Sequence, residues 1–289
     1  MKKPLFQGVC TALVTPFIDG AVNYPMMDQL LRRQIDAGIK AVVLSGTTGE
    51  AATLSDEEKL ELIHRAKAYV GNDCLIIAGT GSNSTARTAE LSLAAQEAGA
   101  DALLIVSPYY NKATPEGLYA HYLTVAHCVN IPIIMYNVPA RTGLDIPISV
   151  YQRLSPIPNI AGVKEASSDI TKVTKTCRSC KDFSIWTGND EHIVPAISLG
   201  AQGVISVLSN VMPAETQAMA LAILDGDLDT ATDLQQQMQP LVELLFCEVN
   251  PIPVKAILKY LGFDCGGCRL PLTELTTENQ KKIRAFFQS

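Results

Sequence analysis

Four kinds of residue in this chain, lysine, threonine, tyrosine and arginine, carry reactive or charge-binding chemistry at places where an apolar run stops. The run Ile160-Ala161-Gly162-Val163 ends on Lys164, with Glu165 directly behind it. An amine is protonated and inert as a nucleophile at neutral pH. Burial disfavours its charged form and frees the lone pair. Such a lysine can attack a ketone or aldehyde to give a Schiff base, whose iminium then acidifies the neighbouring carbon. That chemistry makes and breaks carbon–carbon bonds. Standing alone, Lys164 also reads as a surface cap or an ion-pair partner for Glu165. Gly46-Thr47-Thr48-Gly49 is a turn with two hydroxyls and free backbone N–H groups, suited to a carboxylate or phosphate. It is equally an ordinary strand-to-helix turn. Tyr136 closes another apolar run, where a phenol can donate or relay a proton or, equally, simply pack at the mouth of the fold. Arg141 follows in a Pro/Gly-framed loop, where a guanidinium fork can grip a carboxylate with two bonds, though taken alone it reads more readily as a solvated loop arginine. Tyr109-Tyr110 reads as catalytic or as the anchor of a subunit contact.

These groups need a frame that brings them to one face. Short apolar, β-branched runs recur along the chain: 9–14, 41–44, 75–78, 102–106, 132–136, 160–164, 183–187 and 203–207. Between them lie amphipathic helical stretches, among them 55–70, 84–98, 115–128, 168–179 and 190–199. Ser55 followed by Asp56-Glu57-Glu58, and Pro115-Glu116, are helix-start signals. The strand runs are near-continuously apolar rather than alternating, as in parallel strands covered by helices. Eight β/α units in roughly 220 residues is the count of a TIM (β/α)8 barrel, so a barrel is expected over residues 1–224. From about residue 225 the strand pattern gives way to helical stretches, and 225–289 is expected to be a small C-terminal helical extension. A doubly wound sheet fits less well, because Gly79-Thr80-Gly81 has Ser84 where a dinucleotide loop needs its third glycine.

A barrel presents its chemistry at the C-terminal ends of its strands. Lys164, the Thr47-Thr48 turn, Tyr136 and Arg141 all fall at such ends, and together they favour an enzyme acting on small keto acids. Composition narrows the partners. The 289 residues are 47% hydrophobic and 18% charged, with net charge −6. No basic run offers a nucleic-acid footprint. No apolar stretch nears the roughly 18 residues of a membrane span. The opening MKKPLFQGVC is broken by Pro4, Gln7 and Gly8 and does not read as a signal peptide, so a cytoplasmic protein is expected. The eight cysteines include two C-x-x-C pairs, Cys177/Cys180 and Cys265/Cys268. Their separation is too wide for a zinc ribbon, and free, mostly buried thiols are expected. The four histidines lack metal-ligand spacing and read as surface or satisfied helix residues. No metal site is expected.

Taken in order, GTTGE (46–50), SPYYNK (107–112), YNVPARTG (136–143), GVKEAS (162–167), GVISV (203–207) and NPIPVK (250–255) resemble the motifs of the dihydrodipicolinate synthase family, also called 4-hydroxy-tetrahydrodipicolinate synthases. The resemblance implies a condensation of pyruvate with L-aspartate 4-semialdehyde that needs no cofactor. It implies Lys164 as the Schiff-base lysine. Tyr136, Thr47 and Tyr110 match the proton relay, Tyr110 reaching across a dimer interface. Thr48, with Thr47, matches the pyruvate carboxylate site and Arg141 the aldehyde's carboxylate site. Gly188 and Ile205 match pocket-lining positions, and the assembly implied is a homotetramer, a dimer of dimers. N-acetylneuraminate lyase and the 2-keto-3-deoxy-sugar-acid aldolases share part of the pattern. Arg141 and Tyr109-Tyr110 argue against them, since those enzymes accommodate sugar-like chains. A keto-acid sensor and a metal-dependent aldolase are the other rivals. The chain departs from the pattern of lysine-inhibited members, which carry two histidines and a glutamate where Asp56, Lys59 and Arg87 stand here. Asn83 and Tyr109 of that region remain, and weak or absent lysine inhibition is expected.

Overall fold

The computed structural model describes residues 2–288. Each apolar run becomes one strand of a parallel sheet: β1 Gly8–Ala12, β2 Ala41–Leu44, β3 Leu75–Gly79, β4 Ala102–Val106, β5 Ile133–Asn137, β6 Ile160–Glu165, β7 Ser184–Thr187 and β8 Gly203–Ser206. Each strand pairs with the next in sequence. β1 pairs with both β2 and β8, which closes the (β/α)8 barrel.

Alternation along a strand assigns the two faces. Cys10, Val43, Ile77, Leu104, Ile134, Tyr136, Trp186 and Ile205 form one buried cluster inside the barrel. Their neighbours in sequence, such as Val42, Ile76, Leu103, Ile133, Val163 and Val204, pack outward against the helices. Lys164 shares the parity of Gly162 and lies level with Tyr136 on β5 and Trp186 on β7. It therefore belongs to the interior set, and Glu165 to the outward one. Phe6 stacks on Trp186 at 4.8 Å between centroids, and its carbonyl accepts from the indole N–H at 3.2 Å. Phe6, just before β1, is thus fixed to the barrel interior.

Helix starts follow the sequence signals. Ser55 and Glu58 form a capping box on helix Asp56–Val70, and Thr114 caps Pro115–Cys128. Two helices differ from expectation. The stretch 168–179 begins its helix only at Thr171, because the Asp169 carboxylate accepts from the Thr171 N–H and makes a local turn first. The stretch 190–199 divides into a 3-10 turn, Asp190–His192, and a helix, Ile193–Ser198. Asp190 is drawn instead toward the end of β8, where its carboxylate accepts from Val207 and Leu208 N–H at 3.0 and 2.9 Å. Helices Tyr24–Asp36 and Pro213–Leu224 complete the wall.

Beyond the barrel wall come helices Leu228–Leu245, Ile252–Tyr260 and Thr277–Gln288. The turn 246–250 and the segment 261–272 return to the barrel mouth, where Val249, Asn250, Pro271 and Leu272 line a cavity with strand-end residues. Among the described residues no helix is long and apolar enough to cross a membrane.

Candidate active site

The cavity at the C-terminal ends of the strands encloses about 590 Å³ and is lined by Thr47, Tyr136, Arg141 and Asn250 among others. The fold thereby gathers three residues singled out by position alone. Lys164 lies against this group rather than on the cavity surface. It is 6% exposed, and its Nζ is 4.6 Å from the centroid of the Tyr136 ring. Alternation explains the approach: Tyr136 and Lys164 are register partners on adjacent strands with the same inward parity. Cys10 is buried in the same interior. Burial raises its thiol pKa well above the ordinary value, Cys74 adds to the rise, and the nearby Lys164 charge opposes it.

The room for Lys164 comes from Gly188, just past β7. A Cβ there would stand 2.8 Å from Lys164 Cε. Ile205 is fully buried on β8 inside the barrel. Neither carries a reactive group: Gly188 meets the Lys164 stem, and Ile205 shares the interior cluster with Tyr136.

The turn after β2 is held under constraint. Ser45 and Glu50, on either side of Gly46-Thr47-Thr48-Gly49, take positive φ values of 52° and 56°. Non-glycine residues there cost on the order of 1 kcal/mol or more each and persist only where surroundings fix them. The surroundings are the C-terminal segment. Glu50 Oε1 accepts from Lys255 Nζ at 2.7 Å, and Oε2 from the Arg269 N–H at 2.8 Å. Arg269 in turn forks onto the Glu58 carboxylate, which its guanidinium holds below the usual carboxylate range. The backbone N–H groups of Thr47 and Thr48 have no acceptor among the described residues, which leaves two adjacent donors of the kind that can hold an anion. The Thr48 hydroxyl accepts from Asn250 Nδ2 at 2.9 Å.

Arg141 sits in a one-turn helix, Pro139–Thr142, whose Gly143 adopts the left-handed conformation and ends it. The guanidinium is exposed at the rim and donates to the Asn250 carbonyl at 3.2 Å. Tyr109 lines the cavity, but Tyr110 does not: it is 89% exposed, at φ 73°. No hydrogen bond joins Tyr136 to Thr47 among the described residues, so one chain brings together only part of the expected relay.

Behind the wall, Glu165 is buried and fully engaged. Its carboxylate accepts from Asn137 Nδ2 at 2.7 Å, the Ser167 N–H at 2.9 Å and the Tyr151 hydroxyl at 3.2 Å, with Lys172 Nζ at 3.6 Å. This network ties β5 to β6 behind Tyr136 and Lys164. Asp190 fixes the loop after β7 to β8, and burial raises its pKa. Local sequence reading passed over Asn250, Lys255 and Arg269, which reach the barrel from more than 200 positions away. The NPIPVK motif was the one signal that pointed to that segment.

All eight cysteines are free thiols, with Cys10, Cys74, Cys180 and Cys265 buried. His121 departs from the expected satisfied helix histidine. Its Nδ1 meets Thr85 Oγ1 at 2.9 Å, but its buried Nε2 has no partner. Among the described residues no cluster of three or more His, Cys, Asp or Glu could hold a metal ion.

The dihydrodipicolinate synthetase family model matches residues 5–289. A curated 4-hydroxy-tetrahydrodipicolinate synthase from a Thermoanaerobacter species is 45% identical over 284 residues, covering 98% of this chain and 96% of its own length. The structure of dihydrodipicolinate synthase from Acinetobacter baumannii complexed with pyruvate superimposes with a TM-score of 0.95 at 40% identity, covering 98% of each chain. That of the Cyanidioschyzon merolae enzyme with lysine bound gives a TM-score of 0.95 at 38% identity, again over 98% of each chain.

Proposed function

The chain belongs to the dihydrodipicolinate synthetase family, and from that premise we propose that it is a lyase of the class I aldolase type. It condenses pyruvate with L-aspartate 4-semialdehyde to 4-hydroxy-tetrahydrodipicolinate in lysine and diaminopimelate biosynthesis. The reading extends to a cytoplasmic homotetramer, a dimer of dimers.

Lys164 Nζ attacks C2 of pyruvate, and loss of water from the carbinolamine gives the iminium. Removal of a proton from the methyl carbon gives the enamine, whose carbon attacks the aldehyde. The substrate's own amine then adds to the imine carbon, closes the ring and releases Lys164. Tyr136 is the proton donor and acceptor beside the amine, with Thr47 next in the relay. Tyr110 completes it from the partner subunit, a role supported by its exposure and its place outside its own chain's cavity. Thr47 and Thr48 hold the pyruvate carboxylate through their unpaired N–H groups. Arg141, at the rim, holds the carboxylate of the aldehyde substrate. Gly188 and Ile205 line the pocket around the lysine.

The observation that carries this reading is a buried lysine at the end of β6, in contact with a strand-end tyrosine that lines the cavity at the barrel mouth. The test is borohydride trapping with pyruvate, read by intact mass and peptide mapping. One reduced pyruvate adduct on Lys164 is expected. Its absence, or turnover of N-acetylneuraminate in place of L-aspartate 4-semialdehyde, would overturn the reading.

The cavity also carries Lys59 and Arg87, both paired with Asp56 at 3.3 and 3.1 Å. Two cations around one carboxylate disfavour an ammonium ligand, so lysine inhibition is weak or absent.

A further inference from the structure

We propose that Asn250 is a positioning residue that sets the two carboxylate sites in register, acting on the keto acid through Thr48 and on the aldehyde substrate through Arg141. This rests on the roles of Thr48 and Arg141 given above. Asn250 lies between helices Leu228–Leu245 and Ile252–Tyr260, lines the cavity and is 5% exposed. Its two contacts differ in kind. The side-chain Nδ2 donates to Thr48 Oγ1 at 2.9 Å, whereas the backbone carbonyl accepts from Arg141 at 3.2 Å.

The direction of the first bond has a chemical consequence. A threonine hydroxyl has one hydrogen and two lone pairs. With a lone pair occupied by the amide N–H, the hydroxyl hydrogen is free to point elsewhere. It is then available to the carboxylate of the keto acid, beside the unpaired N–H groups of Thr47 and Thr48. A buried amide retained for packing alone would be satisfied at both ends. Asn250 instead leaves its buried Oδ1 without a partner, an unfavourable arrangement that stability alone does not explain.

Because only the side chain reaches Thr48, truncation separates the two effects. In Asn250→Ala the pyruvate concentration that half-saturates borohydride trapping should rise about tenfold, the size expected for a lost hydrogen bond serving a charged group. The KM for the aldehyde should change little, since the backbone carbonyl remains. Asn250→Asp, which presents only acceptors and turns the Thr48 hydroxyl toward itself, should shift the curve further. In a Thr48→Ala background, Asn250→Ala should add no further shift. Should the alanine variant fail to fold, Asn250→Asp and Asn250→Ser supply the same curve. A trapping curve unchanged in the variants, with wild-type adduct intact, overturns the role of Asn250 and leaves the Schiff-base reading standing. So does a full additional shift in the Thr48→Ala background. No adduct in the wild type overturns both.

Discussion

A Cβ placed on Gly188 would stand 2.8 Å from Cε of Lys164 and 2.7 Å from Cβ of Ala166. The lysine stem occupies the space a side chain would take, so Gly188 is part of what aims the amine. Gly188→Ala should displace Lys164 and slow adduct formation with pyruvate about 10- to 100-fold, as small misplacements of reacting groups do. The accompanying overpacking should cost about 1–3 kcal/mol. Rapid-quench borohydride trapping measures the first effect and thermal melting the second. A wild-type trapping rate in the alanine variant would show that Gly188 does not constrain the amine.

Tyr136 offers a cleaner separation of packing from chemistry. Its ring lies beside Lys164, so Tyr136→Phe keeps that contact and removes only the phenol. Turnover should fall about 10²- to 10³-fold, within the range for loss of a general acid–base group. The melting temperature should hardly move. A variant within a few-fold of wild-type kcat would remove Tyr136 from the relay.

The strands, and the residues at their ends, were readable because each strand is a short apolar run and a barrel puts its chemistry where those runs stop. Even the facing of Lys164 against Glu165 follows from a period of two. What the local pattern could not supply is contact across the chain. Asn250 meets Thr48, and Lys255 meets Glu50, across separations of 202 and 205 positions. Those pairings depend on how the turn after Leu245 returns to the mouth, which no window of ten or twenty residues encodes. Burial of His121 was hidden for a related reason. It faces helix Thr85–Glu97, and no pattern within its own helix reveals that neighbour.

Lysine sensitivity is tested directly. Asp56 is the carboxylate paired with both Lys59 and Arg87 at the cavity, leaving little negative charge for a second ammonium. Millimolar L-lysine should leave the rate at subsaturating pyruvate unchanged, and calorimetry should detect no binding. Inhibition at micromolar lysine would contradict the reading of those three side chains.

His121 should make the fold acid-sensitive before the carboxylates titrate. Burial lowers its pKa from the ordinary 6.5 to about 4. The native state therefore binds fewer protons than the unfolded chain between those values. The stability this contributes is present above pH 6.5 and is lost as pH falls toward 4. Moving from pH 7 to pH 5 should cost about 2 kcal/mol from this group. His121→Gln should melt with a flatter pH dependence over that interval. Parallel slopes for variant and wild type would assign the acid sensitivity elsewhere.

The C-terminal segment should matter to the chemistry through one buried ion pair. Lys255 and Glu50 are each almost inaccessible and 2.7 Å apart, and Glu50 holds a positive φ at the edge of the Thr47-Thr48 turn. In Lys255→Met the carboxylate stays buried with its cation gone. Urea unfolding at fixed protein concentration should show a loss of about 3–5 kcal/mol. Adding Glu50→Gln should recover much of that loss, since the uncompensated charge rather than the missing contact is the larger cost. Catalysis should not recover in parallel. The double variant regains a neutral, buried side chain but lacks the Lys255 tie to the strained turn, so its half-saturating pyruvate should remain raised several-fold over wild type. If stability and pyruvate affinity return together, Glu50 and Lys255 hold the fold alone and the Thr47-Thr48 turn keeps its shape without them.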